Sequence, residues 1–205
     1  PYALINRLTL ELRYRLLPYI YSEAVESGRS SLPMMRALAL DFQADPPALM
    51  IEDEYMFGRS LLVAPVLDAG TQRRIYLPRG VWFDYWTKEP MHSGHWFEVE
   101  APLDRLPLYV RGGSIIPYAP LAQHTGALHF DPLTVEIYDG ENAGHYLLHR
   151  ENQAPLTIGF ERVNKQIQVA IDPTPGALHL AVYGFGEQPY RAQLDGRSGV
   201  RLAVD

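Results

Sequence analysis

Between residues 4 and 25 the apolar positions Ile5, Leu8, Leu12, Leu16, Tyr19 and Ile20 recur at three- and four-residue steps, the spacing of one helical face. Arg7 with Glu11, and Glu11 with Arg15, add opposite charges four residues apart, which supports the same helix. Pro18 lies inside this pattern and predicts a kink, because it has no N–H for the carbonyl of Tyr14 and its ring crowds the preceding turn. Gly28 predicts the stop, since a left-handed residue past a helix end costs glycine little. Residues 32–40 (LPMMRALAL) are almost unbroken apolar and predict a strand covered on both faces, as in parallel sheets walled by helices. Helix followed by covered strand reads as an αβ step of a barrel or of a layered α/β protein. A closed (β/α)8 barrel takes about 250 residues, so most of any barrel would have to lie outside this sequence.

After Asp45, Pro46 and Pro47 the pattern changes to short β runs punctuated by Gly, Pro and Asp, as in antiparallel sandwiches. Strands are predicted at 61–67, 73–77, 81–86, 95–100, 108–111 and 114–118. A break falls at 119–126, and further strands follow at 133–138, 145–150, 156–161, 166–171, 178–183, 190–194 and 200–204. Asp139-Gly140, Asn164-Lys165 and Pro173-Thr174-Pro175-Gly176 mark reversals between them. The expected fold class is mainly β: two consecutive antiparallel β-sandwich-like domains preceded by a helix-strand remnant of a (β/α)8 barrel. The expected divisions are 1–55, 56–119 and 120–205.

Composition narrows the function classes. The 205 residues carry 18 Lys+Arg against 24 Asp+Glu, a formal net charge of −6. Without a basic run, the chain has no footprint for nucleic acid or an anionic membrane surface, both of which need concentrated positive charge. No stretch reaches the roughly 18 apolar residues that would cross a bilayer. The absence of Cys excludes disulfides, thiolate metal sites and a Cys nucleophile, and it fits a cytoplasmic location. The sequence opens on Pro1 and reads from its first residues like the middle of a larger protein, so a fragment is expected.

Candidate chemistry is sparse. Glu52, Asp53 and Glu54 are adjacent, whereas an acid and base pair needs two carboxyls held a few ångströms apart in unlike environments. The triplet therefore reads as helix charge or a turn hydrogen bond. Asp41 and Phe42 end the apolar run on the side where barrels place their active sites, which makes them the candidate substrate-binding residues at a barrel rim. His92 with His95 and His145 with His149 are the nearest histidine pairs, and neither has a third ligand at finger spacing. No metal or cofactor is expected. There is no G-x-S-x-G elbow or Walker loop. The aromatic group Trp82, Phe83, Tyr85 and Trp86, with Trp96 and Phe97, fits packing between two layers, because alternation puts large rings on both strand faces. Trp82, Trp86 and Trp96 are the candidates for stacking on a sugar.

Particular strings carry a resemblance. Residues 12–22 (LRYRLLPYIYS), 33–38 (PMMRAL), 53–66 (DEYMFGRSLLVAPV), 76–87 (YLPRGVWFDYWT) and 101–117 (APLDRLPLYVRGGSIIP) stand in the order of landmarks of glycoside hydrolase family 31, which the chain resembles over residues 12–117. The 33–38 string is similar to the α-xylosidase and α-glucosidase members. Residues 126–205 match loosely, as the distal β-domain of that family does.

The resemblance implies a C-terminal part of a retaining α-glycosidase, acting on terminal α-glucosidic or α-xylosidic bonds. In such enzymes an aspartate nucleophile and an aspartate acid sit about 5 to 5.5 Å apart. The family motifs for both aspartates precede the 12–22 landmark, so no catalytic residue is carried over, and Asp53 and Arg105 read as ion-pair or turn positions. On this reading the partners are an oligosaccharide or α-glycoside substrate of the parent enzyme and its catalytic barrel. The chain itself gives structural support. A carbohydrate-binding accessory module is the alternative. Residues 4–40, with barrel neighbours absent, would expose apolar surface suited to self-association.

Overall fold

In the computed structural model, the described residues are 2–163, 166–173, 176–184, 192–194 and 197–198. The expected strand at 200–204 and the turn at Asn164-Lys165 lie outside them. The N-terminal helical pattern forms two helices, α1 (Tyr2–Arg15) and α2 (Leu17–Ser30). Their joint at Leu16 sits two residues before Pro18, which occupies the first turn of α2, where a missing N–H costs nothing. The predicted kink is there. The predicted stop at Gly28 is not, because α2 runs on to Ser30 and Ser31 takes the left-handed position at φ 61°. Its N–H donates to the Ser27 carbonyl, while Ser27 Oγ donates to the Leu32 carbonyl.

The run 32–40 corrects the expectation more sharply. Only β1 (Met35–Ala37) is strand, and it pairs antiparallel with β2 (Tyr55–Phe57) at the edge of a sheet. A single helical turn, α3 (Leu38–Asp41), follows, and a 3-10 turn spans Pro46–Leu49. Of the run only Leu38 enters a core, beside Phe42 just after it, while Leu32, Met35 and Leu40 are exposed, so no strand here is covered on both faces.

The next strands are β3 (Leu61–Val63), β4 (Gln72–Leu77), β5 (Trp82–Asp84), β6 (Pro90–Met91), β7 (His95–Glu100), β8 (Leu108–Arg111) and β9 (Ile115–Tyr118). Six of the strands so far form one sheet in the order β1-β2-β3-β8-β5-β6, and β4 pairs with β7 as a separate ribbon. Alternation in the six-stranded sheet builds two cores at once. Leu61, Val63, Phe83, Leu108 and Val110 enter one. Met56, Leu62, Trp82 and Tyr109 enter the other, where they meet Ile75, Tyr76 and Leu77 of the ribbon. This is the two-layer packing that rings on both faces of residues 82–86 predicted.

Beyond residue 119 come β10 (Leu133–Tyr138), β11 (Ala143–Arg150), β12 (Gln153–Val163), β13 (Gln166–Asp172), β14 (Leu178–Tyr183), β15 (Ala192–Leu194) and β16 (Arg197–Ser198). They form a sheet β14-β10-β9 and a sheet β11-β12-β13-β15-β16. Two pairings, β10 with β14 and β13 with β15, are parallel, so the sheets are mixed and not wholly antiparallel. Strand β9, on the near side of the expected division at 119, hydrogen-bonds to β10 on the far side. The core that contains Phe83 and Val110 continues through Ile137, Tyr146 and Ile171. At this junction the backbones nearly touch: a Cβ on Gly140 would lie 2.8 Å from Gly112 Cα, a spacing only glycine permits. Among the described residues no helix is long and apolar enough to cross a membrane.

Candidate functional site

The turn between β5 and β6 places the first functional side chain. Asp84 Oδ1 accepts the N–H groups of Trp86 and Thr87 at 2.7 and 2.8 Å, an Asx turn that reverses the chain. The Lys88 N–H then donates to the Asp84 carbonyl, with Lys88 at φ 66°. This conformation sends Lys88 across to β10. Its Nζ lies 2.9 Å from Glu136 Oε2 and 2.9 Å from the Tyr138 hydroxyl.

Glu136 Oε2 also accepts the hydroxyls of Tyr118 and Tyr138 at 2.8 and 2.7 Å. The ammonium lies 4.4 Å from the Tyr85 ring centre and 5.4 Å from that of Tyr183, a cation held by ring faces and one carboxylate. Burial pushes the Lys88 amine below its ordinary value and Glu136 pushes it back up. Burial raises the Tyr85 hydroxyl to about 12, and burial followed by the charge of Glu136 raises Tyr138 far above its ordinary value. The cluster is a paired charge with its oxygens occupied, the form in which buried ions are tolerated.

This cluster floors a cleft of about 820 Å³. One wall is α1, through Leu8, Glu11, Leu12 and Arg15. The other wall is built by the loops carrying Asp68 and residues 101–106. Trp86 stands in the cleft with its indole N–H donating to the Leu106 carbonyl at 2.7 Å and its ring edge-on to Tyr85 at 5.2 Å.

A second polar cluster fastens α2 to the β2–β3 hairpin and to β11. The Tyr19 hydroxyl donates to the Phe57 carbonyl at 2.7 Å and accepts the Ser60 N–H at 3.1 Å. Glu23 Oε2 accepts the Arg59 N–H, and Arg59 Nε lies 3.1 Å from Glu23 Oε1. From β11, the His149 N–H donates to Ser22 Oγ, and His149 Nε2 lies 2.7 Å from Glu26 Oε1. Burial raises the Glu23 carboxyl, and the hydrogen bond to His149 lowers that of Glu26. The hairpin between β2 and β3 turns on Gly58 at φ 66°, where a Cβ would lie 2.3 Å from the Tyr19 hydroxyl oxygen.

The sequence candidates are dispersed. Asp41 pairs with Arg36 at 2.7 Å. Phe42 is 8% exposed, tilted against Trp82 at 5.9 Å, with the Arg111 guanidinium 5.2 Å from its ring centre. Trp82 is 1% exposed and its indole N–H donates to the Pro78 carbonyl. Trp96 is 39% exposed, but its ring lies between the Arg74 guanidinium at 4.8 Å and Tyr76 at 5.3 Å. Of the three tryptophans only Trp86 enters the cleft.

The acidic triplet forms a bend and not a helix start. Asp53 pairs with Arg73 at 2.7 Å, and Glu54 Oε1 accepts the Tyr76 N–H. Glu54 is 2% exposed, and burial raises its carboxyl to about 7. Among the described residues no three His, Asp or Glu side chains gather where they could hold a metal ion. Lys88 and Glu136 escaped the sequence reading because 48 residues separate them. The available signal was local: Glu136 is a lone charge inside the otherwise apolar strand LTVEIY, and buried charge in a strand calls for a partner.

Comparison with known proteins places this geometry. Residues 31–116 match the family described as the glycosyl hydrolase family 31 C-terminal domain. The chain is 34% identical over 155 residues to an α-xylosidase of Saccharolobus solfataricus, covering 75% of this chain and 21% of the relative. It is 44% identical over 108 residues to an α-glucosidase of the same organism, covering 53% and 15%. In structure it is similar to a family 31 dextranase of Flavobacterium johnsoniae solved with isomaltotriose, at a TM-score of 0.72 and 29% identity, covering 80% of this chain and 22% of that one. The chain thus spans about a fifth of the length of this α-xylosidase and of this dextranase.

Proposed function

Because the chain belongs to glycosyl hydrolase family 31 and carries that family's C-terminal domain over residues 31–116, we propose that it works as the C-terminal supporting part of a longer α-glycosidase acting on α-glucosidic or α-xylosidic bonds. The observation that carries this reading is α1. None of its 14 residues is buried, and Tyr2, Leu4, Leu8 and Leu10 are exposed. Leu4 and Leu8 lie one turn apart on the helix, and exposed apolar side chains of this kind are what a further part of a longer protein would cover.

In this reading the chemistry is retaining hydrolysis. One carboxylate attacks the anomeric carbon to form a glycosyl-enzyme while a second carboxyl protonates the departing oxygen, the two held about 5 to 5.5 Å apart. The acidic groups described above have other work. Glu136 neutralises Lys88, Glu23 faces Arg59, Asp53 faces Arg73 and Asp41 faces Arg36. The contribution of these residues is mechanical, since α2 is fastened to the β2–β3 hairpin and to β11 through Tyr19, Glu23 and Glu26.

The test is hydrolysis of aryl α-glucoside and aryl α-xyloside. The complete reading frame that contains this sequence is expected to turn over at least one of them, and residues 1–205 alone neither. Saturable hydrolysis by the 205 residues after repurification would overturn the proposal, as would an inactive complete protein.

A further inference from the structure

We propose that Glu54 is a proton-operated latch on the ribbon formed by β4 and β7: with its proton it caps the free edge of β4 from inside the core, and on ionising it draws the bend at 52–54 away from that edge. The inference stands apart from the catalytic reading. Every group it uses belongs to this chain, and Glu54 is 2% exposed within it, so its surroundings do not wait on any further cover.

The ribbon needs such a fastening. Strands β4 and β7 make a two-stranded sheet of their own, so β4 pairs with β7 along one edge and turns backbone donors outward along the other. Three carboxyls of the segment 45–54 meet this strand and its end. Glu54 Oε1 accepts the Tyr76 N–H at 2.8 Å. Asp45 accepts the Tyr76 hydroxyl on Oδ1 and the Arg79 N–H on Oδ2, each at 2.8 Å. Arg73 donates to the Asp53 carbonyl at 3.1 Å and pairs with the Asp53 carboxylate at 2.7 Å.

These carboxyls are not equivalent. Both oxygens of Asp45 are occupied, and Asp53 is 39% exposed in its side chain and faces a guanidinium. Glu54 Oε2 is buried and has no hydrogen-bond partner among the described residues. The titratable groups that face Glu54 are Asp53 beside it, Arg73 and Tyr76 on β4, and Tyr109 on β8. Arg73 is directed to Asp53, and its Nε also lacks a hydrogen-bond partner among the described residues. A carboxylate at this position would hold its charge with one oxygen unsolvated, which favours the neutral acid. Burial is the largest effect and lifts the carboxyl to about 7, the Tyr76 N–H and Arg73 opposing it and the charge of Asp53 adding to it.

The route to water is short. Residues 52 and 53 form a bend, Glu52 is exposed, and Met50 nearby is 82% exposed. Ile51 and Met56 stand in the core on either side, which confines the movement to the bend. An ionised Glu54 gains solvent by swinging out with it, and the Tyr76 N–H then loses its acceptor. This is a local opening, with the rest of the core kept.

NMR of the 205-residue chain reads both halves of the latch. The Glu54 side-chain carboxyl carbon is expected to titrate near neutrality, and the Tyr76 amide resonance to move with the same midpoint while the amides of β12 stay in place. Hydrogen-exchange protection at Tyr76, corrected for intrinsic exchange, should fall about a hundredfold between pH ~4.5 and pH ~8 and lie below that of β12 throughout. Glu54→Gln, uncharged at every pH, should remove both responses. A carboxyl that titrates wholly below about pH 5, or a Tyr76 amide that does not follow it, would overturn the proposal, and both are read in the unaltered chain. A Tyr76 response that survives in Glu54→Gln, or equal protection of Tyr76 and β12 at every pH, would overturn it as well.

Discussion

Helices α1 and α2 have the same length, 14 residues each, and are separated by Leu16 alone, yet they meet opposite surroundings. Helix α2 buries Pro18, Tyr19, Ser22 and Glu23 and exchanges hydrogen bonds with the β2–β3 hairpin and with β11. Helix α1 has no buried residue, only Leu12 half-buried against the core, although Leu4, Leu8 and Leu10 are as apolar as anything in its neighbour. Helix propensity cannot separate the two, since most helical stability in proteins comes from packing an apolar face and not from propensity. The contrast teaches that α2 is anchored in the fold through the β2–β3 hairpin and β11, while α1 leaves its apolar side chains largely exposed.

The comparison can be broken most severely at Tyr19. Truncating a fully buried aromatic leaves a cavity and, here, frees the Phe57 carbonyl and the Ser60 N–H. Tyr19→Ala is expected to cost about 4 kcal/mol by urea unfolding. The equivalent truncation on α1, Leu8→Ala, should stay within about 0.5 kcal/mol. Equal losses at the two positions would erase the contrast.

The next largest effect lies at Lys88 and Glu136, which line the same cleft as α1. Lys88→Ala strands Glu136 among tyrosine hydroxyls and should cost about 3 kcal/mol. The double variant Lys88→Ala with Glu136→Ala should cost less than the sum of the singles, because each single variant leaves a buried partner unpaired. Additivity in the cycle would mean that the pair is not coupled.

A pH series sharpens the picture by titrating a site away from both helices. The Glu54 carboxyl is raised to about 7 by burial, so the fold accommodates its neutral form. The associated stability is complete below the ordinary carboxylate value and is lost as pH rises from about 4.5 to about 7, by up to about 3 kcal/mol. Glu54→Gln should flatten that slope. A slope that persists in Glu54→Gln would assign it to another group.

The smallest expected effect returns to α2. His149→Ala removes one hydrogen bond to Glu26 and should cost about 1 kcal/mol, read again by urea unfolding. A loss as large as that of Tyr19→Ala would make the β11 contact, and not the β2–β3 hairpin, the principal anchor of α2.

What the sequence revealed divides along the same lines. Local signals were enough for the kink near Pro18 and for strands such as β7, β8, β10 and β14, whose bounds agree with the pattern residue for residue. Strands β2 and β6 are three and two residues long, too short for alternation to register. The 32–40 run misleads because only Leu38 enters a core, while Leu32, Met35 and Leu40 are exposed around a three-residue edge strand and one helical turn. Across the division expected at 119, β9 pairs with β10 and the two sides share one core, contacts that no local pattern could signal. Both are long-range facts. The same holds for the site: Trp86 was legible as a candidate, but its cleft is assembled from segments spread from α1 to β10, and no short window contains them.

Amide hydrogen exchange tests the central contrast most directly. In the 205-residue chain, the amides of α1 are expected to exchange orders of magnitude faster than those of α2, since opening α1 exposes little that is not already exposed. In the complete protein both helices should be protected. Equal protection of the two helices in the short chain, or an α1 that stays unprotected in the complete protein, would contradict the account.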